Sequence, residues 1–539
     1  MSAPETEHTT QEAIDGLHFI ASRKRLLLIA LGVTILYAFG VNDKWRFQRD
    51  SAVYMGLARS VVEDQSYAFN YEPHTKYTPG LPVFLAGTGH IFGVPDQLSD
   101  SFSAYNILIT IFGLGCIGLF YLILRELNAP PTVFAIAFLF FCFSRTLYYY
   151  SIHIMSDVPF TFFSLATLLL GLFMLRREGW KSWAACVGAT VMIIAAMSIK
   201  PVGPFLLVAL TAGLWLRREA LKKWKKRAGQ TAILWILPGI SLKLYSLWTH
   251  SLVSQSGAGK HYFRGKFAQN PLGWFIKTFF AKLPAHFAGL SDTLMGTELG
   301  TIVGIILAIV MLVGLIRSLK RGERQLSFFA LILCGVIIAG RWKLNRRYLL
   351  PATPVMFYWL ALGLPAIGRW LQRKWDFWTA KRVKRLGYIC VGLVLLSNLV
   401  RVGDVILEER GKFYSEIERG KLASYKPVFA WLRQNGHRGK TVVGAYESAP
   451  THYFTRQRTE HLNHNTRGWT EEKIAGWLQG VDFLIKDQTK PESTAALKKL
   501  SAESGLTLEP IDVGGTQQVQ LLRVIAQNGS PEKEQENKR

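Results

Sequence analysis

The chain has 539 residues; half are hydrophobic, 13% are aromatic, and 63 Lys and Arg against 37 Asp and Glu leave a net charge of +26. That apolar load, with a mean hydropathy of +0.18, excludes an ordinary soluble enzyme and reads as a polytopic α-helical membrane protein. Basic loops that orient spans against anionic lipid account for the positive charge, so no nucleic-acid partner is expected.

Residues 1–22 are polar and read as a disordered cytoplasmic N-terminus. Arg23-Lys24-Arg25 then precede an apolar run, 26–41, that leads into a charged loop with no small-residue cleavage site. It is expected to be an uncleaved first span. The five cysteines, Cys116, Cys142, Cys186, Cys334 and Cys390, all fall in apolar segments, with neither a disulfide framework nor zinc spacing.

The loop 42–82 is too polar to remain in lipid. Within it Val53, Tyr54, Leu57, Ala58 and Val61 recur at helical spacing, which predicts an amphipathic helix on the membrane surface with Asp50 at its entrance. His74 and Lys76 follow. The run Lys76-Tyr77-Thr78-Pro79-Gly80-Leu81-Pro82 then turns the chain back, because each proline restricts its predecessor to extended backbone. The next stretch, 79–94, is short and rich in Gly and Pro, and is expected to be a surface or re-entrant element.

A span needs about 20 apolar residues. On that rule about eleven are expected, centred on 26–41, 103–124, 131–150, 158–175, 182–199, 201–216, 230–248, 299–317, 325–340, 349–368 and 386–402. With a cytoplasmic N-terminus, Arg176-Arg177 and the basic runs at 217–227, 317–324 and 369–385 all fall inside, as the positive-inside rule requires. The same count places 42–102, 151–157, Lys200, 249–298, 341–348 and everything after 403 on the opposite face.

Composition turns polar near 403, which divides the chain into a membrane domain, 23–402, an extracytoplasmic α/β domain, 403–528, and a charged disordered tail, 529–539. Strands are expected at 441–446, 481–485 and 519–524, with helices at 428–434, 470–478 and 493–500.

Asp157 lies in an outer turn between two spans. A carboxylate that close to hydrocarbon suggests function, although a helix N-cap followed by Pro159 explains it equally well. Asp50 can also be read as a cap. Together the two aspartates are suited to activate an acceptor or to hold a cation, and spacing does not choose between these. No third carboxylate stands at metal-ligand spacing, which leaves a divalent metal open. Lys200 interrupts two apolar runs and suits either snorkelling or a phosphate. The strongest cationic cluster, Arg341-Trp342-Lys343-Leu344-Asn345-Arg346-Arg347-Tyr348, falls on the face where the positive-inside rule expects few cations. Its arginine forks and the Tyr348 hydroxyl suit a phosphate ester at the bilayer edge; an interfacial anchor is the plainer alternative. The loop 257–270, with His261 and Arg264, is a weaker version of the same pattern.

The order of these motifs carries a resemblance. Arg49-Asp50-Ser51-Ala52-Val53-Tyr54, the Lys76 to Pro82 run, Ser156-Asp157-Val158-Pro159 and Arg347-Tyr348-Leu349-Leu350-Pro351 resemble the membrane glycosyltransferases of the C-type fold, over roughly the first 400 residues. The chain is most similar there to glycosyltransferase family 39, the branch related to protein O-mannosyltransferases and the aminoarabinose transferase of lipid A. The resemblance implies a polyprenyl-phosphate sugar donor, a lipid, glycan or protein acceptor, and transfer, with inversion, on the extracytoplasmic face of a bacterial inner membrane. It also implies Asp50 and Asp157 as catalytic carboxylates. By the same resemblance Arg347 and Tyr348 would help hold the lipid phosphate; on the residue chemistry above, Arg346 and Lys200 would join them, and Tyr54, His74, Lys76, His261 and Arg264 would line the substrate pocket. Two positions depart from the family pattern: Ser51 stands where Glu is frequent, and Thr78 where Lys or Pro is. A transporter or flippase of an anionic or lipid-linked solute is the rival reading, but the chain shows neither an internal repeat nor paired broken helices.

Overall fold

The computed structural model describes residues 23–46, 49–97, 100–216, 223–256, 280–339, 346–375, 377–410, 423–461, 477, 480–488, 506–514 and 518–526. Two compact units separate. One comprises the first helix, Thr75–Leu81 and Tyr105–Leu407; the other comprises Asp43–His74, Pro82–Ala104 and the chain from Glu408 on.

Every stretch expected to cross the membrane lies on a helix. In chain order these are Arg23–Gly40, Ser103–Glu126, Pro131–Cys142 followed by Arg145–Ser151, Asp157–Arg176, Gly179–Ile199, Phe205–Trp215, Trp224–Ser256, Gly300–Lys320, Arg324–Ala339, Thr353–Lys374 and Ala380–Arg410. Among the described residues six are long and apolar enough to span a bilayer, or seven if the pair bent by 41° between Pro131–Cys142 and Arg145–Ser151 counts as one. The bend has a local cause: Ser144 stops one helix and caps the next, its hydroxyl accepting from the Leu147 amide at 3.4 Å.

The helices show lipid-facing surfaces. Along Gly300–Lys320 the side chains of Ile302, Ile306, Ile309 and Leu312 form one exposed stripe. In water such a stripe would be an aggregation site, whereas acyl chains solvate it. The opposite side of this helix packs closely. A Cβ on Gly314 would collide with the Trp359 carbonyl, and one on Gly363 with that of Val310, so small residues let this helix approach Thr353–Lys374 backbone to backbone.

In the second unit, helix Arg49–Glu63 is flanked by a hairpin of β1 (Ala68–Phe69) and β2 (Glu72–Pro73). Residues 51–60 of that helix are all buried, which corrects the expectation of a one-sided surface helix. Its second covering comes from helix Ser448–Thr455: Arg59 Nη1 donates to the Tyr453 carbonyl, and the Trp45 and Phe454 rings meet edge to face at 5.2 Å. Asp96 binds this unit from another segment, gathering Arg59, Arg433 and Arg456.

The tail folds as a mixed sheet whose five described strands, β3 (Val442–Ala445), β4 (Arg458–His461), β5 (Phe483–Asp487), β6 (Leu506–Ile511) and β7 (Val519–Ala526), stand in the order β4-β3-β5-β7-β6. Strands β3, β4 and β5 run parallel, while β7 pairs antiparallel with β5 and with β6. The three expected strands and the helix at 428–434 are present; β4, β6 and helix Ser448–Thr455 are additions. Most of the expected helix at 470–478, and all of that at 493–500, lie outside the described residues.

Candidate functional site

Asp157 is the first residue of helix Asp157–Arg176 and is completely buried. The cap preceding it, Ser156, makes no side-chain capping bond, and the Asp157 carboxylate is committed elsewhere. Oδ1 accepts from Lys200 Nζ at 2.5 Å, and Oδ2 from Arg347 Nε at 3.2 Å. A buried carboxylate is tolerable only when so paired, and its place in a helix first turn adds to the stabilisation.

Local sequence delivers both cations. Helix Gly179–Ile199 stops at Lys200 because Pro201 restricts its predecessor to extended backbone; Lys200 has φ −143° and ψ 141°. Its side chain therefore leaves the helix axis and reaches Asp157. Arg347 stands on the short helix Arg346–Leu349, its guanidinium 5.8 Å from the Tyr348 ring. A further constraint comes from Gly80: a Cβ there would sit 2.5 Å from Ser198 Oγ and 2.7 Å from the Ser198 carbonyl carbon. The Lys76 to Leu81 run is thus seated against the helix end that presents Lys200, with Lys76 itself exposed over the Tyr77 ring at 5.5 Å.

A second ion-paired group adjoins the first. Asp292 Oδ1 lies 3.8 Å from Arg346 Nη1 and 4.0 Å from Arg145 Nη1. The Tyr149 ring lies beneath both guanidinium groups, at 5.3 Å and 5.9 Å. Arg145 is held in turn by the Gly296 carbonyl at 3.0 Å, in the left-handed turn (Gly296 φ 71°) that ends helix Leu283–Met295. Arg346 and Arg347 are neighbours on one short helix, the first paired with Asp292 and the second with Asp157, which makes the two groups one locus. Burial pushes the Asp292 carboxyl above the usual carboxylate range, against the pull of Arg145. Among the described residues, Lys200, Arg347, Arg346 and Arg145 against Asp157, Asp292 and the nearby Glu298 leave a surplus of positive charge, which suits an anion.

Asp292 and Arg145 were not singled out from sequence. Both carried a signal: a guanidinium inside an aromatic apolar run, and a lone carboxylate inside the largely apolar stretch Leu283–Met295, are each expensive unless partnered.

Asp50, Tyr54 and His74 belong to the second unit. Asp50 is half-buried in the first turn of helix Arg49–Glu63, and both neighbours are anchored. Arg49 donates to Glu447 from Nε at 2.8 Å and Nη2 at 3.4 Å, with Tyr446 under its guanidinium at 5.0 Å. That bidentate bond to Glu447 raises the Arg49 pKa. Ser51, at the position where the family often has Glu, accepts the Trp45 indole N–H at 2.9 Å. These contacts fix how the helix turns Asp50. Tyr54 is buried, and the His74 amide closes the hairpin onto the Tyr67 carbonyl at 3.0 Å. His261, Arg264 and the cluster at 341–345 lie outside the described residues. Among the described residues no three His, Cys, Asp or Glu side chains converge as metal ligands.

Residues 88–282, which include Asp157 and Lys200, match the family described as Dolichyl-phosphate-mannose-protein mannosyltransferase. No curated protein sequence matches the chain. Among solved structures, ArnT from Cupriavidus metallidurans in the apo state aligns with TM-score 0.58 and 11% identity, over 92% of this chain and 97% of that one. The same protein bound to undecaprenyl phosphate gives 0.58 and 12%, over 93% and 98%. The oligosaccharyltransferase AglB from Archaeoglobus fulgidus, in complex with an inhibitory peptide and a dolichol-phosphate, gives 0.55 and 13%, over 91% and 74%. At these identities the likeness is one of fold.

Proposed function

We propose that this chain is a membrane glycosyltransferase that moves a sugar from a polyprenyl-phosphate donor to a lipid, glycan or protein acceptor on the extracytoplasmic face. The observation that carries this reading is the pair of cations, Lys200 and Arg347, set by one buried carboxylate at a helix start. An ammonium offers three donors and a guanidinium five, and Asp157 takes one from each in these bonds. Ammonium and guanidinium groups are the side chains that suit phosphate oxygens, and Asp157 brings one of each together.

In the reaction the bond between the anomeric carbon and the phosphate oxygen breaks, and the acceptor heteroatom bonds to that carbon from the opposite side, giving inversion. The electron pair leaves with the polyprenyl phosphate, whose developing charge Lys200, Arg347 and Arg346 stabilise. The acceptor's proton passes to a carboxylate. By the family resemblance this is Asp50, and Asp157 acts by holding the phosphate-binding cations in place. Tyr348 and Lys76 contribute to the donor site, and Tyr54 and His74 shape the first outer loop around Asp50.

The eleven helical stretches are then eleven spans, with the N-terminus cytoplasmic, the loop that carries Asp50 interfacial, and the C-terminal sheet outside a bacterial inner membrane. The test is sugar transfer from a lipid-linked donor by the purified full chain in detergent. Transfer that is abolished by Asp50→Asn and that requires the lipid phosphate supports the reading. Solute or lipid translocation without transfer rejects it.

A further inference from the structure

A hollow lined by cations lies at the far end of helix Thr353–Lys374 from Arg347. Arg369 is 16 residues along helix Thr353–Lys374 from the end near Arg347, about 24 Å at 1.5 Å per residue. There Arg369, Arg317, Lys320 and Arg321 surround a cavity of about 660 Å³ whose apolar wall includes Val133 and Ile316. Among the described residues no Asp or Glu lines it. Arg321 is balanced by Glu323, with Nε 2.8 Å from Oε1, whereas Arg317, Lys320 and Arg369 form no ion pair among the described residues.

Two ordinary effects explain such cations one at a time. Arg317 and Lys320 suit the negative end of helix Gly300–Lys320, and basic residues gather on one membrane face by topology. Neither effect converges charges from two helices on one hollow. A third element adds to the convergence: Pro130, Thr132 and Val133 at the N-terminus of helix Pro131–Cys142 line the same cavity, and that helix end has no side-chain cap. The depth is also marked. Trp370 and Trp375, exposed and packed edge to face at 5.2 Å, lie beside Arg369 as aromatic residues do at headgroup level. From the cavity, exposed Ile316, Leu312 and Ile309 continue along the helix as a lane for an acyl chain.

We propose that this cavity binds the headgroup of an anionic phospholipid, its phosphate among Arg317, Lys320 and Arg369 and its acyl chain along the Ile316 stripe. The site is distinct from the donor site and does not depend on the glycosyltransferase reading. Charge complementarity on a built hollow next to a lipid-facing stripe selects this occupant over a soluble anion.

The test is native mass spectrometry of the full chain purified with equal phosphatidylglycerol and phosphatidylcholine. Wild type should retain phosphatidylglycerol preferentially, and the triple variant Arg317→Gln, Lys320→Gln, Arg369→Gln should lose that preference by about tenfold or more, while Arg347→Gln keeps it. Equal retention of both lipids by wild type, or undiminished preference in the triple variant, overturns the proposal. Displacement of the lipid by millimolar inorganic phosphate would instead assign the site to a small anion. If the triple variant does not fold, photoreactive phosphatidylglycerol on wild type decides the matter: cross-links in the 309–321 and 365–370 peptides support the site, and cross-links confined elsewhere overturn it.

Discussion

Lys200 Nζ and Asp157 Oδ1 are 2.5 Å apart although 43 positions separate the residues in sequence. Asp157 opens a helix of 20 residues, and Lys200 closes the returning helix of 21. Two antiparallel helices of matched length, joined by a tight turn at Arg177 and Glu178, must return the chain to the level at which it began. The ion pair is a product of that register, and Arg347 adds the third charge from a different part of the chain.

Removing the carboxylate should therefore damage binding more than chemistry alone would. Asp157→Ala leaves Lys200 and Arg347 without their shared partner, and breaking a buried pair costs about 3 to 5 kcal/mol; the low end applies here because the two cations remain partly exposed. The expected outcome is a lower unfolding temperature in detergent together with a donor affinity reduced more than about tenfold. Wild-type values for both would separate Asp157 from the site.

The arginines distinguish a phosphate grip from a membrane anchor. Truncating one member of a desolvated charge pair costs about 2 to 5 kcal/mol, so Arg347→Gln should weaken donor saturation by well over tenfold. Arg347→Lys should restore only part of it, since an ammonium lacks the planar fork. Arg346→Gln should act in the same direction, with Asp292 losing one of its two cationic neighbours among the described residues. Unchanged saturation curves in all three variants would leave these residues as anchors.

Gly80→Ala probes how the turn after Lys76 seats on the Lys200 helix end. The added Cβ would fall 2.5 Å from Ser198 Oγ and 2.7 Å from a backbone carbon, so the turn must move. Overpacking of this kind typically costs about 1 to 3 kcal/mol. Donor affinity should fall along with thermal stability, and Ser198→Gly should not rescue it, because the backbone is part of the obstruction. Rescue by Ser198→Gly would show that the side chain alone sets the spacing.

Stability of the second unit should depend on His452. Burial lowers its pKa from 6.5 to about 4; Nδ1 donates to the Gln457 carbonyl at 2.7 Å while Nε2 accepts the Asn70 amide at 3.0 Å. Both nitrogens are satisfied only in the neutral ring. Because the folded pKa lies below the unfolded one, the contribution is fully present above pH 6.5 and is lost as pH falls toward 4, about 3 kcal/mol in all. Thermal unfolding followed from pH 7.5 to 5 should show about 2 kcal/mol of that loss in wild type and a flatter profile in His452→Gln. Parallel profiles would place the pH dependence elsewhere.

By itself the sequence determined the helical membrane class, the eleven helical stretches expected to cross and the common side of Asp157, Lys200 and Arg347, but not helices Leu283–Met295 or Ser448–Thr455. Span length is set by bilayer thickness and side by loop charge, both of which can be counted along the chain. It also determined three of the five strands in the tail, where apolar runs alternate with turn residues. Only the tertiary structure decided what the carboxylate at 157 does. A cap and an ion-pair partner have the same local sequence, and the choice rests on Lys200 and Arg347 arriving from 43 and 190 positions away. The same holds for Asp292, which becomes part of the site only through Arg145 and Arg346. It holds again for helix Arg49–Glu63, whose periodicity suggests one apolar face but whose burial from 51 to 60 is completed by Ser448–Thr455, nearly 400 residues later. Periodicity records how a segment meets its nearest medium; which distant segment supplies the second wall is decided by packing, and packing has no local signature.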